Sequence, residues 1–140
     1  MNIKEMYYFF YYKIYKMNEL TNKWFPNQIF SSKFQTFVMI FALEMWASQI
    51  PFFLYDIITN TRGNSSLCVI IPSVLIFALN YYYFEYGNKL TQYILKFDNM
   101  PKSKQKDIAG IIVWTIVISI LVIFFITIYL FSFVPLPNKI

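Results

Sequence analysis

The residue of this chain best placed to do chemistry inside a membrane is Glu44, because its carboxyl group lies within a long apolar run. An ionised carboxylate is costly in hydrocarbon, and no Lys or Arg occurs inside any apolar run to neutralise it. We therefore expect Glu44 to be protonated or to face water. On a helix it shares a face with Ala47, Ser48 and Pro51, where small side chains let another helix approach closely.

Other polar residues are predicted to join Glu44 in a polar seam between the helices. Ser119 lies at a matching depth in the third apolar run, with Thr115 one turn closer to the cytoplasm, and Asn80 lies at a similar depth in the second run. The predicted seam consists of Glu44, Ser48, Asn80, Thr115 and Ser119.

Three interpretations of this seam remain open. The first is hydrogen bonding between packed helices, which contributes on the order of 1 kcal/mol. The second is that the seam lines an oligomeric pore or recognises the membrane helix of a partner. Proton or ion coupling is the third and the least favoured, because the chain shows no inverted repeats of the kind that transporters use.

Residue types that most enzymes need are scarce in this chain. It has no His and a single Cys, Cys68, which excludes an internal disulfide, the common zinc sites and His-dependent triads. We find no Gly-rich phosphate loop, metal-ligand spacing or catalytic dyad. The sequence therefore predicts no enzyme activity, no catalytic residue, no metal and no cofactor.

The segments that position these residues are dominated by 27 consecutive uncharged residues, Ile108 to Val134. As a helix this run is about 40 Å long, whereas the hydrocarbon core of a bilayer is about 30 Å thick. With 58% hydrophobic and 22% aromatic residues, the chain is predicted to be an all-α integral membrane protein that forms a single membrane domain. The predicted transmembrane helices are 34–55, 67–84, which continues as a cytoplasmic helix to about residue 98, and 108–133.

The aromatic segment at 1–19 is too short between its Lys residues to span a bilayer. We predict an amphipathic interfacial helix in the headgroup region. An apolar stripe with helical spacing follows the second span and needs a covering surface. The aromatic first helix is the favoured cover, with lipid headgroups or a partner protein next. The stripe consists of Leu90, Tyr93, Ile94 and Phe97.

Basic residues are distributed unevenly among the loops. Ten of the 12 lie before the first span or between the second and third, and only Arg62 and Lys139 lie elsewhere. This asymmetry predicts a multi-pass protein with a cytoplasmic amino terminus and a carboxyl terminus on the outer side of the membrane. The cluster Lys102, Lys104 and Lys106 is expected to contact anionic lipid or a partner. It is short and lies against the membrane, so we predict no nucleic-acid partner. Ser103 is a predicted cap for the third span.

The stretch from Asn80 to Phe97, NYYYFEYGNKLTQYILKF, is followed by KSKQKDIAGIIVWTIVISILVIFF. This pattern resembles small uncharacterised three-span membrane proteins of Bacteroidota, in which a basic loop with a trailing Phe precedes a final span opened by a Gly. The resemblance implies a bacterial inner membrane protein, assigns no catalytic residue and leaves Glu44 outside the pattern. Roles in defence, toxicity or immunity are suspected for such proteins.

Together these observations predict a non-enzymatic membrane protein that acts by helix–helix interaction. Its partners would be membrane lipids and either further copies of the chain or another membrane protein. It would serve as an accessory or immunity-type subunit, or as a self-associating component. The alternative is an oligomeric effector that permeabilises the membrane, such as a holin-like or anti-phage defence pore.

Overall fold

Every element described in the computed structural model is helical, which confirms the predicted all-α class. The structure describes residues 2–26, 29–60, 67–85, 88–101 and 103–135. The predicted contact residue Lys102 lies outside these ranges. The elements are α1 (Ile3–Trp24), α2 (Ser32–Thr59), α3 (Leu67–Asn80), a π-helical turn (Tyr81–Glu85), α4 (Lys89–Asp98) and α5 (Lys104–Phe131).

Two of these helices are long and apolar enough to cross a membrane, at Ser32–Thr59 and Lys106–Phe131. A third crossing is obtained if Val69–Phe84 and Lys89–Asp98, which are bent by 61° relative to each other, form one broken span. The prediction of a membrane protein is therefore confirmed, with two or three helices that could cross the membrane.

Side-chain caps define the beginnings of three helices. The Asn2 side chain accepts a hydrogen bond from the backbone N–H of Glu5, whose carboxylate accepts one from the backbone N–H of Asn2. Ser31 accepts from the backbone N–H of Phe34 at the start of α2. Ser103 accepts from the backbone N–H of Lys106, which confirms the predicted cap of α5. Such caps satisfy backbone donors that the first helical turn leaves unpaired.

Helix α1 folds back along the first half of α2. The amide of Asn22 donates to the Ser32 hydroxyl at 2.7 Å, and the amide of Asn18 donates to the Thr36 hydroxyl at 3.0 Å. The two helices are therefore antiparallel, and the amino-terminal end of α1 reaches the middle of α2.

The core of the described structure lies around α1, which contacts α2, α4 and α5. Tyr8, Phe9 and Tyr11 are completely buried, as is Phe97 of α4. The ring of Tyr8 stacks on that of Tyr93, with 3.8 Å between the centroids. Burying such aromatic side chains contributes roughly 1.5–3 kcal/mol each, so α1 is fixed mainly by other parts of the same chain.

Helices α3 and α5 both pack on α2, and their backbones do not come into contact within the described residues. At one end, α1 occupies the space between them. Beyond that end, the described side chains from Val69 to Leu79 are all exposed or half-exposed. Helix α3 is therefore the least enclosed of the helices.

Candidate functional site

Glu44 of α2 forms a ring of polar contacts with Tyr7 of α1 and Asn80 of α3. The Tyr7 hydroxyl oxygen lies 2.5 Å from Glu44 Oε1 and 2.9 Å from Asn80 Oδ1. The Asn80 side-chain amide donates to Glu44 Oε2 at 2.6 Å. Three helices that are far apart in sequence therefore meet at one carboxyl group.

The number of protons available decides the ionisation state in which this ring is satisfied. Three contacts need three protons, and the Tyr7 hydroxyl and the Asn80 amide each supply one proton within the ring. For all three contacts to be hydrogen bonds, the third proton has to come from Glu44, which then donates to Tyr7 while Tyr7 donates to Asn80. With an ionised Glu44 the Tyr7 hydroxyl donates to Glu44 Oε1 instead, and its contact with Asn80 Oδ1 has no proton. If the amide oxygen and nitrogen of Asn80 are exchanged, each hydrogen bond of the ring runs in the opposite direction, but three protons are still needed. All three contacts are therefore hydrogen bonds only when Glu44 is neutral.

Aromatic packing holds the ring in place. The Tyr7 ring packs on Phe84 at 5.3 Å and edge-on to Tyr83 at 6.1 Å, measured between centroids. Phe84 and Asn80 are both buried. The π-helical turn that follows Asn80 carries Tyr83 and Phe84, so the local distortion at the end of α3 brings aromatic side chains against Tyr7.

A cavity of about 460 Å³ adjoins the ring between α1, α2 and α5. Its walls are mostly aliphatic and aromatic, with Glu44 and Tyr7 among the few polar groups. The residues that line it are Asn2, Ile3, Met6, Tyr7, Phe10, Glu44, Ile112, Val113, Ile116 and Ile120. A neutral carboxyl group is compatible with such apolar surroundings, whereas an unpaired carboxylate would be strongly disfavoured there.

The structure brings together two of the five predicted seam residues, Glu44 and Asn80. The Ser48 hydroxyl donates to the Met45 carbonyl of its own helix at 2.8 Å. The Thr115 hydroxyl likewise donates to Ile111 within α5 at 2.9 Å, on an exposed face. Ser119 is also exposed on α5. The bonds that Ser48 and Thr115 make are local, because short hydroxyl side chains reach the preceding turn of their own helix.

Sequence reasoning missed Tyr7 as a partner of Glu44. The sequence places it within a run of six aromatic residues, where nothing distinguishes one phenol from the next. The available signal was its helical position. Tyr7 shares a face with Ile3, Phe10 and Ile14, but also with Tyr11, so this signal does not single it out.

The predicted apolar stripe of α4 packs inside the chain. Leu90, Ile94 and Phe97 are buried, and Tyr93 stacks on Tyr8 of α1. The aromatic first helix is therefore the cover, as the sequence favoured. These four side chains are not available as an open surface for lipid or for a partner.

The basic cluster before α5 is described only in part. The Lys106 ammonium donates to the backbone carbonyls of Phe97 and Met100 at 2.6 and 3.2 Å. It thus closes the end of α4, where helix carbonyls lack partners. Lys104 begins α5, and its side chain lies outside the described part of the structure, as does Lys102.

Charged residues also connect α1 to α4. The Lys16 ammonium lies 3.0 Å from the Asp98 carboxylate, which also accepts a hydrogen bond from Tyr12 at 2.9 Å. Partial burial alone would raise the pKa of Asp98, but the hydrogen bonds from Lys16 and Tyr12 outweigh it and hold that pKa below its usual value. Burial and the hydrogen bond to Asp98 raise the pKa of Tyr12 to about 12. Glu5 and Lys96 form a second pair at 2.7 Å.

Among the described residues no three His, Cys, Asp or Glu side chains lie close enough together to hold a metal ion. Comparison of the chain with protein-family models, with curated proteins and with solved structures finds no match. Function must therefore be argued from this chain alone.

Proposed function

We propose that this protein is a small, non-enzymatic integral membrane protein that acts by binding another membrane helix. The helix would belong to a second copy of the chain or to a partner that the protein serves as an accessory or immunity-type subunit. The observation that supports this proposal is the gap between α3 and α5. Both helices pack on α2, and within the described residues their backbones stay apart, while α1 lies between them at one end.

The face of α2 that borders this gap carries side chains suited to close helix packing. Going outward from Glu44, the same helical face carries Ala47, Ser48, Pro51 and Tyr55. Pro51 and Tyr55 are exposed, and Ala47 and Ser48 are half-exposed. Small residues let helix backbones approach closely, which is what drives association in lipid, where apolar surface alone provides no driving force. The face on which the sequence predicted an interaction is thus available beyond the Glu44 ring.

The Glu44 ring itself favours a structural role within the chain over a pore-lining role. Its carboxyl group has partners on α1 and α3, which use both of its oxygens. A pore-lining acid would instead contact water or a neighbouring subunit. Of the three interpretations of the seam, hydrogen bonding between helices has the most support.

The length of the helices supports a position for the ring near the inner boundary of the membrane. Thr59, the last residue of α2, lies fifteen positions after Glu44, which is about 22 Å of helix. The end of α5 at Phe131 likewise lies fifteen positions after Ile116, which lines the cavity beside Glu44. Within a hydrocarbon core of about 30 Å, Glu44 would lie in the inner third.

The orientation proposed from the basic residues is tested with reporter fusions. Fusions at Asn64 and Lys139 should report an outer location, and a fusion at Lys104 should report the cytoplasm. The reverse pattern would contradict the inner-membrane orientation.

The helix-binding proposal is tested by site-specific photocrosslinking in native membranes. Because Cys68 is the single Cys, a Cys68→Ser background allows a benzophenone maleimide to be attached at one chosen position. Ser48→Cys places the probe on the proposed binding face, and Ser119→Cys places it at a similar level on the exposed side of α5. We expect a discrete protein adduct from position 48 and only lipid adducts from position 119.

The mass of that adduct identifies a second copy of the chain or a distinct partner. Equal adducts from both positions, or none from either, would contradict the proposal. Dye entry and loss of membrane potential on overexpression, both abolished by Glu44→Leu, would instead support the permeabilising effector.

A further inference from the structure

A second cavity, of about 610 Å³, lies on the other side of the amino-terminal end of α1. Its described lining combines two Lys residues with four Tyr residues and a single aliphatic side chain. The lining residues are Ile3, Lys4, Tyr7, Tyr8, Tyr82, Tyr83 and Lys89. Lys and Tyr together are typical of the membrane–water interface, where aromatic rings lie at the level of the headgroups.

The two Lys residues of this cavity differ from most of the other described Lys residues. Neither Lys4 nor Lys89 forms an ion pair with a carboxylate among the described residues. The Lys89 ammonium lies 4.8 Å from the centre of the Tyr82 ring. Lys16, Lys33, Lys96 and Lys106 have carboxylate, carbonyl or hydroxyl partners. Lys13 and Lys23 also lack a carboxylate partner among the described residues, but they do not share a cavity with a second Lys in the way that Lys4 and Lys89 do. The cavity therefore carries positive charge that the described chain does not neutralise.

An apolar path leads away from this cavity along α3. Leu75, Leu79 and Tyr82 follow one another at helical spacing and are all exposed. Tyr82 lines the cavity, so the path begins at its wall. A ligand with an anionic head and a hydrocarbon chain matches both parts, because its head would meet the two ammonium groups and its chain would lie along Leu79 and Leu75.

We propose that the Lys4–Lys89 cavity binds the headgroup of an anionic phospholipid. The phosphate accepts hydrogen bonds from the two ammonium groups, each of which has three donors. The tyrosine rings enclose the glycerol region, and one acyl chain lies on the exposed face of α3. This site is distinct from the predicted contact at Lys102, Lys104 and Lys106. It depends on membrane insertion and not on the helix-binding face of α2.

The site is tested by native mass spectrometry of the full-length protein in mild detergent, with counting of the retained lipids. We expect phosphatidylglycerol to be retained and phosphatidylcholine of the same chain length to be lost. The double variant Lys4→Gln/Lys89→Gln should weaken phosphatidylglycerol retention about tenfold, because each Lys near an anionic headgroup contributes to binding. Its circular dichroism should match that of the unmodified protein.

The matched control is Lys13→Gln/Lys23→Gln, which removes the same two positive charges from other positions of α1. It should change retention less than twofold. Equal losses in the two double variants would overturn the proposal, because net charge alone would then explain binding. Displacement of the lipid by millimolar inorganic phosphate would also overturn it, since the acyl chain would then contribute nothing, and so would equal retention of phosphatidylcholine.

Discussion

Aromatic side chains occupy opposite environments at the two ends of this molecule. Around α1, rings such as those of Tyr8 and Phe9 are completely buried against other helices of the chain. Toward the end of α5, Phe125, Tyr129 and Phe133 are each more than 60% exposed. The first region resembles the core of a water-soluble protein, and the second resembles a surface that lipid covers. Aromatic residues therefore pack against other helices at one end of the molecule and face its surroundings at the other.

The same contrast holds for charge. Near α1, several charged side chains have specific partners, including the pairs of Lys16 with Asp98 and of Glu5 with Lys96. Along α5, no charged residue occurs between Asp107 and the end of the helix at Phe131. The region around α1 can thus be specified by individual contacts, whereas the carboxyl-terminal half of α5 is specified mainly by its apolarity. Equivalent mutations in the two regions should therefore change the stability of the protein by different amounts.

The largest effect is expected from removing a buried ring next to α1. Phe97→Ala should destabilise the protein by about 3–5 kcal/mol, because it leaves a cavity among the rings of Phe9, Tyr12 and Tyr93. Phe133→Ala is the matched control at the exposed end and should cost less than about 1 kcal/mol. Denaturant unfolding in detergent, followed by circular dichroism, measures both. Similar losses in the two variants would contradict the division into a packed and a lipid-covered region.

An intermediate effect is expected at the Glu44 ring, and it distinguishes the ionisation states. Glu44→Gln supplies an N–H in place of the carboxyl proton, so the ring can remain closed and stability should change by less than about 1 kcal/mol. Glu44→Leu leaves Tyr7 and Asn80 without that partner and should cost about 1–3 kcal/mol. The same unfolding assay applies. A loss in Glu44→Gln as large as that in Glu44→Leu would mean that the ring needs a carboxylate.

The smallest effect is expected at the pair that joins α1 to α4. The pKa of Asp98 is lower in the folded chain than in the unfolded chain, so its contribution is present above about pH 4 and is lost as the pH falls through the folded value. The pair is more than one-third exposed, which limits that contribution to about 0.5 kcal/mol.

The measurement compares the unmodified protein with Asp98→Asn between pH 6 and pH 3. The stability difference should shrink toward the acidic end of this range, because the contribution is lost as the pH falls from the unfolded pKa through the lower folded pKa of Asp98. Lys16→Gln, which removes the partner, should reduce the same difference. A stability difference between the two proteins that is unchanged at pH 3 would show that Asp98 acts through something other than its charge.

The sequence predicted the helical class well because apolar runs of this length leave few alternatives in lipid. It also identified Glu44 and Asn80, because polar groups within apolar runs are rare and need partners. It did not identify Tyr7, since α1 was assigned to the headgroups and was considered as a cover for α4 but not as a partner of the polar seam. The sequence assigned three hydroxyl residues, Ser48, Thr115 and Ser119, to the seam by their depth in the apolar runs. Depth does not reveal which hydroxyl groups bond to the backbone of their own helix. The paired Lys16 and Asp98 are 82 positions apart, so no local pattern could connect them.

The ring of Tyr7, Glu44 and Asn80 also imposes an order on biosynthesis. The ribosome makes Tyr7 first, Glu44 second and Asn80 last, so the acid enters the insertion machinery before its amide partner exists. A nascent chain that stops after α2 would expose an incompletely bonded carboxyl group in the bilayer. Synthesis of α3 is therefore the step at which Glu44 and Tyr7 gain Asn80 as their last partner in the ring.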